Sequence, residues 1–239
     1  MRRRQSNETS SNSEGNMGLP PILFDLDGTL IDSNYQHVAA WSEALRSSGI
    51  VIPLWKIHRR IGMSGKSFLK ELLREIPRKK NSPDLDKLES KHDSIFRSFI
   101  PRLSSLPGAT DLLRHLAHHH VQMAIATTGG RAQTQRLLGQ LQIPKPIEIV
   151  TGDDVEKAKP SPDIFVAAAQ QLQVPIGDCI VVGDSPWDML AAGRKSALGV
   201  AFLSGGYGEE DLERAGAFRV YSDAADMLMH IEQLGLPGK

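Results

Sequence analysis

The stretch Ile22-Leu23-Phe24-Asp25-Leu26-Asp27-Gly28-Thr29 decides how this chain folds and where its chemistry lies. Its apolar start predicts a short buried strand. Asp25 and Asp27 follow two residues apart, so in an extended chain their side chains point the same way. Two like charges this close destabilise each other unless a cation neutralises them or one carboxylate holds a proton. The pattern therefore indicates an acidic functional site.

Length and composition limit the class of protein. The 239 residues are enough for one large domain or for a core with an inserted smaller one. An apolar content of 40% permits a buried core, and a formal net charge of zero gives no basic face for nucleic acid. No apolar stretch approaches the roughly 20 residues of a membrane helix. We therefore expect neither nucleic acid nor membrane as a partner.

Two further features concern the cell compartment. The single cysteine, Cys179, excludes an intramolecular disulfide and fits a reducing compartment, so we expect a cytoplasmic protein. Because Cys179 opens an apolar segment, a small buried residue is favoured over a redox role. Residues 1–17 are polar and lack apolar periodicity, which predicts a disordered tail. A transit peptide is the alternative there, but Glu8 and Glu14 count against it.

The rest of the chain predicts an α/β fold. Helical spacing dominates residues 34–105, with no convincing strand, and helices then alternate with short apolar runs. Such alternation predicts a doubly wound parallel sheet covered on both faces, interrupted after its first strand by an all-helical insert. The expected division is a core of residues 18–33 and 106–239 with a cap domain at 34–105. The later strands are expected at 121–126, 147–150, 179–182 and 199–203.

Polar side chains follow the ends of four predicted strands. In open α/β sheets, ligands bind beyond the carboxyl ends of the strands. Convergence of carboxylates, hydroxyls and an ammonium group at one edge is a stronger signal than any single motif. The residues concerned are Asp25 and Asp27, Thr127 and Thr128, Lys159, and Asp184 with Asp188.

This set resembles the motifs of the haloacid dehalogenase superfamily of phosphotransferases. Asp25-Leu-Asp27-Gly-Thr resembles the first motif, and Thr127 the second. Lys159 resembles the third, and Gly183-Asp184-Ser-x-x-Asp188 the fourth. All four occur in the right order, and the helical insert lies where the family's first class of cap belongs. The resemblance implies a Rossmann-like core with a helical cap.

The resemblance also implies a role for each residue. Asp25 would be the nucleophile that forms an aspartyl-phosphate, and Asp27 the general acid and base. Thr127 would bind the phosphoryl oxygens and Lys159 would stabilise the transferring group. Mg²⁺ would be held by Asp25, the backbone carbonyl of Asp27, Asp184, and Asp188 directly or through water. Taken singly, these residues could be helix starts, a turn or a surface lysine.

The substrate contacts are expected in the cap. Gly65-Lys66-Ser67 matches the end of a nucleotide-binding P-loop motif, but Arg60 stands where that motif needs its first glycine. Residues 62–66 are instead expected to form a cap loop that contacts the substrate. A turn between two helices, without a functional role, is the alternative. We expect substrate contacts from Lys66, His37, Arg60 and Thr128.

Several other polar residues have simpler explanations. The histidines at 115 and 118–120 are expected at a solvated helix end, with a metal site as the alternative. Asp153 and Asp154 could equally be solvated or support the site. Asp32 is expected to cap the following helix.

The first motif also limits the class of reaction. Dehalogenases and phosphonate-cleaving relatives carry another residue at the position of Asp27, so phosphate ester chemistry is favoured. The β-phosphoglucomutase branch usually has Gly-x-Ser-Arg in its cap loop, and Gly65 stands in place of that arginine. We therefore expect a Mg²⁺-dependent phosphatase of a small phosphorylated metabolite, similar to phosphoglycolate or sugar-phosphate phosphatases. A mutase and a non-catalytic binding module are the alternatives.

Overall fold

The strands form one six-stranded parallel sheet. The computed structural model describes residues 18–75, 83–139, 141 and 147–238, so the predicted tail at 1–17 lies outside the described residues. The strand order is β3-β2-β1-β4-β5-β6, which confirms the predicted doubly wound sheet. In chain order the strands are β1 (Ile22–Phe24), β2 (Met123–Ala126), β3 (Glu148–Val150), β4 (Ile180–Gly183), β5 (Leu198–Phe202) and β6 (Arg219–Tyr221).

Helices separate the strands and cover both faces of the sheet. Most of them lie where helical structure was predicted, within residues 34–105 or between the predicted strands, because apolar spacing and turn residues mark these segments. In chain order the helices are α1 (Asn34–Ser47), α2 (Leu54–His58), α3 (Gly65–Arg74), α4 (Leu85–Phe99), α5 (Ala109–His118), α6 (Arg131–Leu138), α7 (Asp163–Gln171), α8 (Pro186–Gly193), α9 (Glu209–Arg214) and α10 (Ala224–Met229).

The central strand β1 is buried on both faces. Ile22 and Phe24 belong to the apolar cluster that contains residues of α5 and α10. Leu23 points the other way and packs with residues of α7 and α8, because successive strand side chains alternate. β1 pairs with β2 on one side and β4 on the other, so the strand order reverses at this point. Ligands of doubly wound sheets bind at such a switch point.

Helices α1 to α4 pack around an apolar cluster of their own, which includes Trp41, Leu45, Phe68, Leu72 and Leu88. Helix α1 belongs to both parts, because its Ala40 lies in the cluster beneath the sheet. It therefore connects the helical segment to the edge where β1 ends. The limits of the cap domain, residues 34–105, stay a prediction.

The structure adds elements that the sequence pattern did not reveal. Strand β6 has three residues and an exposed Arg219, so its apolar signal is too short to recognise. It lies at the edge of the sheet, beside β5. Helices α2, α9 and α10 are five or six residues long, which is below the length that periodicity can identify.

Candidate active site

A tight turn follows β1 directly and places both carboxylates at the edge of the sheet, Asp25 buried and Asp27 partly buried. The backbone N–H of Asp25 still bonds the carbonyl of Val182 at 2.8 Å, so the strand pairing continues to this residue. Gly28 then adopts φ +78°, a left-handed conformation that favours glycine. A Cβ at Gly28 would also collide with the side chains of Asn34 and Asp184. The turn and the carboxylate cluster therefore depend on the same glycine.

Lys159 lies between two buried carboxylates. Its Nζ is 2.6 Å from Asp25 Oδ1 and 2.7 Å from Asp188 Oδ1. The same Nζ lies 5.0 Å from the ring centroid of Phe165. Burial by itself lowers the pKa of Lys159, but Asp188 and Asp25 outweigh it and raise that pKa above its ordinary value. The lysine is therefore a charged group in the interior.

The two carboxylates after β4 are held by hydrogen bonds from different parts of the chain. Asp184 Oδ1 accepts from Thr29 Oγ1 at 2.9 Å, and Asp184 Oδ2 accepts from Asn34 Nδ2 at 2.7 Å. Asp188 Oδ2 accepts from the backbone N–H of Ser185 at 3.1 Å and from its hydroxyl, which caps α8. Asp188 therefore serves the helix start and the acidic cluster together.

Three carboxylates form a group with the geometry of a cation site. Asp25, Asp184 and Asp188 each offer an oxygen, and these oxygens lie within 4.8 Å of one another. Within the described ranges this is the one group of three or more residues that could hold a metal ion. The side chain of Asp27 lies outside it; the prediction for Asp27 concerned its backbone carbonyl.

The charges of this group fit a divalent cation. Burial raises the pKa of Asp25 to about 7, opposed by Lys159 and reinforced by Asp188. Burial, with the charges of Asp188 and Asp25, also raises the pKa of Asp184 well above its usual range. When ionised, the three carboxylates carry three negative charges against the single positive charge of Lys159, which contacts two of them. An all-oxygen donor set with excess negative charge suits a hard divalent cation.

Asp27 has a different environment from Asp25. Its Oδ1 accepts from Ser33 Oγ at 2.6 Å and lies 3.2 Å from His37 Nε2. Its Oδ2 accepts a longer bond, 3.4 Å, from Thr127 Oγ1. Burial works to raise the pKa of Asp27, but the charge and hydrogen bond of His37 and the bond from Ser33 hold it below its ordinary value. The pKa values of the two carboxylates that follow β1 are therefore shifted in opposite directions, that of Asp25 upward and that of Asp27 downward.

The start of α1 supplies several of these partners. Ser33 precedes the helix, Asn34 begins it and His37 lies one turn further on. The sequence prediction assigned His37 to substrate and missed Ser33, Asn34 and Thr29; polar residues clustered directly behind the Asp27 motif were the available signal. The expected cap, Asp32, is wrong: Ser33 occupies the cap position without a side-chain cap bond, and Asp32 is exposed.

A cavity of about 740 Å³ lies between the helical segment and this edge of the sheet. Its lining includes Asp27 and all four predicted substrate residues, Lys66, His37, Arg60 and Thr128. Lys66 Nζ lies 3.1 Å from Asp86 Oδ1, and Arg60 is paired with Glu75. These two predicted substrate residues therefore already have carboxylate partners, and the lining holds two further lysines, Lys70 and Lys157.

The remaining polar residues have structural roles. His115 Nε2 lies 2.8 Å from the carbonyl oxygen of Pro237. Asp153 accepts a hydrogen bond from the backbone N–H of Arg131 at 2.8 Å, and Asp154 forms an ion pair with the Arg131 side chain.

Cys179 is buried, and burial raises the pKa of its thiol to about 11, which disfavours a nucleophilic thiolate.

Fold and site together define a class of α/β protein in which carboxylates gather at the switch point of a parallel sheet, beside a helical segment. The sequence profile described as "Haloacid dehalogenase-like hydrolase" matches residues 22–202. The chain therefore belongs to the haloacid dehalogenase-like hydrolase family.

Curated relatives include enzymes with different reactions. Hexitol phosphatase A of Escherichia coli (strain K12) is 32% identical over 172 residues, 71% of this chain and 76% of that protein. Beta-phosphoglucomutase of Bacillus subtilis (strain 168) is 28% identical over 217 residues, 88% and 94% of the two chains. Bifunctional riboflavin kinase/FMN phosphatase of Arabidopsis thaliana is 31% identical over 166 residues, 69% of this chain. The match spans 43% of that longer protein.

A solved structure also matches closely. The crystal structure of a hydrolase from Pseudomonas syringae has a TM-score of 0.85 and 46% sequence identity, and the match covers 90% of this chain and 99% of that one. No helix in the described part of the chain is both long enough and apolar enough to cross a bilayer.

Proposed function

We propose that this protein is a Mg²⁺-dependent phosphatase that hydrolyses a small phosphorylated metabolite through an aspartyl-phosphate on Asp25. The contrast between the environments of the two carboxylates that follow β1 carries the proposal. Asp25 belongs to the group of three carboxylates and is paired with Lys159, whereas Asp27 lies outside that group and is bonded to Ser33 and His37. Environments that separate two carboxylates in this way are typical of distinct catalytic roles.

The reaction takes two displacements. A carboxylate oxygen of Asp25 attacks phosphorus and forms the new P–O bond, while the ester P–O bond breaks and the leaving oxygen takes a proton from Asp27. Water then attacks the phosphoryl group, gives a proton back to Asp27 and releases Asp25. The substrate phosphate is an anion, so its arrival raises the pKa of Asp27 and favours the protonated form that the first step needs.

Two further side chains act on the phosphoryl group. The Thr127 hydroxyl lies beside Asp27 and would donate to a phosphoryl oxygen, and the Lys159 ammonium would stabilise the charge that develops. Mg²⁺, when bound, would neutralise the acidic group and polarise the phosphoryl oxygens. Asp25, Asp184, Asp188 and the backbone carbonyl of Asp27 are the groups that would hold it.

The cavity wall favours a polar but uncharged leaving group. Lys66 and Arg60 are already paired with carboxylates, and Glu89 adds a negative charge to the wall. A leaving group with its own carboxylate, such as that of phosphoglycolate, would meet four carboxylates of the lining, Glu89, Asp93, Asp153 and Glu156, against Lys70 and Lys157 as the further cations. A sugar or polyol, with many hydroxyls, suits this wall better.

The mutase alternative is weaker because of Gly65. The arginine of the mutase pattern would begin from this position, but a Cβ there would collide with the Glu89 carboxylate. The flexible end of the Glu89 side chain would therefore have to move aside to admit that arginine.

The test is phosphate release from a panel that contains hexitol phosphates, hexose phosphates, phosphoglycolate and FMN, with Mg²⁺ and with a chelator. We expect Mg²⁺-dependent release that is fastest for the hexitol or hexose phosphates. Asp25→Asn should lower it by more than about 10³-fold, because no other group can accept the phosphoryl. Asp32→Asn, at an exposed position nearby, is the matched control and should retain full activity.

Other outcomes would point to the alternatives. Isomerisation of β-glucose 1-phosphate with a bisphosphate activator, with little phosphate release, would identify a mutase. No turnover of any compound would favour a binding module. The cytoplasmic location stays a prediction that rests on the single cysteine.

A further inference from the structure

A continuous series of hydrogen bonds leads from Asp27 into the helical segment. His37 Nε2 lies 3.2 Å from Asp27 Oδ1, and His37 Nδ1 lies 3.0 Å from His92 Nε2. His92 Nδ1 in turn lies 2.9 Å from Asp93 Oδ1. His37 belongs to α1, whereas His92 and Asp93 belong to α4. The outer half of this series has no part in the reaction described above.

Packing fixes both imidazole rings. The ring of His37 stacks on Phe96 with centroids 3.7 Å apart and an interplanar angle of 10°. The ring of His92 stacks on Trp41 with centroids 4.0 Å apart and an angle of 17°. His92 is buried, with a relative exposure of 5%. Neither ring can turn without losing its stacking partner.

The exposed end of the series sets the direction of the hydrogen bonds. The Asp93 carboxylate can only accept, so Nδ1 of His92 carries a hydrogen. Burial lowers the pKa of His92 to about 4, so near neutral pH the ring holds no second hydrogen and Nε2 is an acceptor. Nδ1 of His37 must then donate to it. The Asp27 carboxylate also can only accept, so Nε2 of His37 donates to it, and both ring nitrogens of His37 carry a hydrogen.

We propose that His92 is a positioning residue: supported by Asp93, it accepts from His37 Nδ1 and fixes the orientation of the His37 ring, and His37 Nε2 then holds the Asp27 carboxylate in the geometry for proton transfer. The inference rests on the proposed role of Asp27. It assigns a function to a histidine of α4 that lines the cavity beside His37 and has no role in the two displacements.

The kinetic test compares two substitutions of His92. His92→Phe keeps a ring against Trp41 but removes both nitrogens. His92→Gln restores an oxygen that can accept from His37 Nδ1. His118→Gln, at an exposed position in α5, is the matched control. Thermal unfolding of each variant shows whether it folds, and His92→Gln keeps the test valid if His92→Phe does not.

Two substrates distinguish a positioning role of His92 from a general loss of active-site structure in the variant. An alkyl phosphate, the best of the panel above, has a leaving oxygen that needs a proton, whereas p-nitrophenyl phosphate has one that does not. His92→Phe should lower kcat/KM for the alkyl phosphate about tenfold or more, as a share of the roughly 10²–10⁴ that acid–base catalysis supplies. The value for p-nitrophenyl phosphate should hardly change, and His92→Gln should recover most of the loss. An equal loss on both substrates, no loss on either, or no recovery with Gln would overturn the proposal.

A second readout does not depend on turnover. In protein labelled with ¹⁵N-histidine, the hydrogen on Nδ1 of His37 should be hydrogen-bonded in the wild type and should exchange faster with water in His92→Phe, with His37 resonances assigned by their absence in His37→Gln. An unchanged exchange rate would overturn the proposal even in an active enzyme. Faster exchange in a protein that hydrolyses nothing would retain the positioning role and refute the phosphatase assignment.

Discussion

The Nζ atom of Lys159 lies 2.6 Å from Oδ1 of Asp25, and both side chains are buried at the end of β1. A buried carboxylate without a partner is costly, so this ion pair is what allows the proposed nucleophile to lie inside the fold. The same ammonium group contacts Asp188 in α8, the helix that follows the neighbouring strand β4. One lysine therefore supports both the fold and the chemistry.

Loss of this lysine should destabilise the protein strongly in the absence of a divalent cation. Lys159→Met leaves Asp25 and Asp188 buried without their positive partner, and breaking a buried pair from one side costs about 3–5 kcal/mol. Urea unfolding in chelator should show this loss in the free energy of unfolding. Added Mg²⁺ should restore part of it. Lys195→Met, at an exposed position, is the control; equal stability of the two variants would contradict the expectation.

Asn34 should set the affinity for the metal ion. Its side chain donates to Asp184 at 2.7 Å from the first turn of α1. Partners of metal-ligating carboxylates typically change affinity by about 10–100-fold when they are removed. Isothermal calorimetry of Asn34→Ala with Mg²⁺ alone should show a weaker Kd in that range. Thr29→Ser keeps the second donor to Asp184 and should bind like the wild type; an unaltered Kd for Asn34→Ala would argue against a Mg²⁺ site here.

The stability of the metal-free protein should fall as the pH rises. Burial raises the pKa of Asp25 from 3.8 to about 7, so between these values the folded protein holds a proton that the unfolded chain has released. This contribution is complete below the unfolded pKa and is lost as the pH rises through the folded one. Tm without metal should therefore drop between about pH 5 and about pH 7.5.

The cation should reverse this trend, because it competes with the proton for the same oxygens. Scanning calorimetry should show a larger Mg²⁺-induced rise in Tm at the higher pH. Asp25→Asn cannot hold that proton and should show a flatter profile without metal. A Mg²⁺ effect that is independent of pH would contradict the assignment.

Asp27→Asn should divide the reaction into its two steps. The amide can neither give a proton to an alkoxide nor take one from water, so turnover of alkyl phosphates should fall by roughly 10²–10⁴-fold. With p-nitrophenyl phosphate the first step needs no acid, so a burst of nitrophenolate should precede a slow phase. Acid-quenched mass spectrometry should then find phosphate on Asp25. Absence of a burst, with equal losses on both kinds of ester, would show that Asp27 does not act as proposed.

Sequence alone predicted the central strands and the charged residues at their ends, because both leave local patterns. Buried strands are continuous apolar runs, as in Ile180–Gly183, and the carboxylates follow them at fixed spacings. Edge strand β6 has no such pattern, since Arg219 is exposed and only Tyr221 of its three residues is buried.

Contacts between distant parts of the chain could not be predicted in this way. Asn34 meets Asp184 across 150 residues, and His37 meets His92 across 55. A lone histidine on a helix is usually structural, so His92 carried no signal without its neighbours in space. The position of Gly65 could not be interpreted from the sequence either, because its neighbour Glu89 in α4 is revealed only by the structure.

The residues at the start of α1 have a consequence for selectivity. Ser33 and His37 bond the proposed acid–base carboxylate, while Asn34 bonds a carboxylate of the predicted cation site. All three move with one helix, and that helix also packs in the cluster that lines the substrate cavity. A molecule that fits the cavity badly and displaces α1 would disturb proton transfer and metal binding at once. A phosphorylated metabolite that fits the cavity badly would then be hydrolysed slowly even when it is bound.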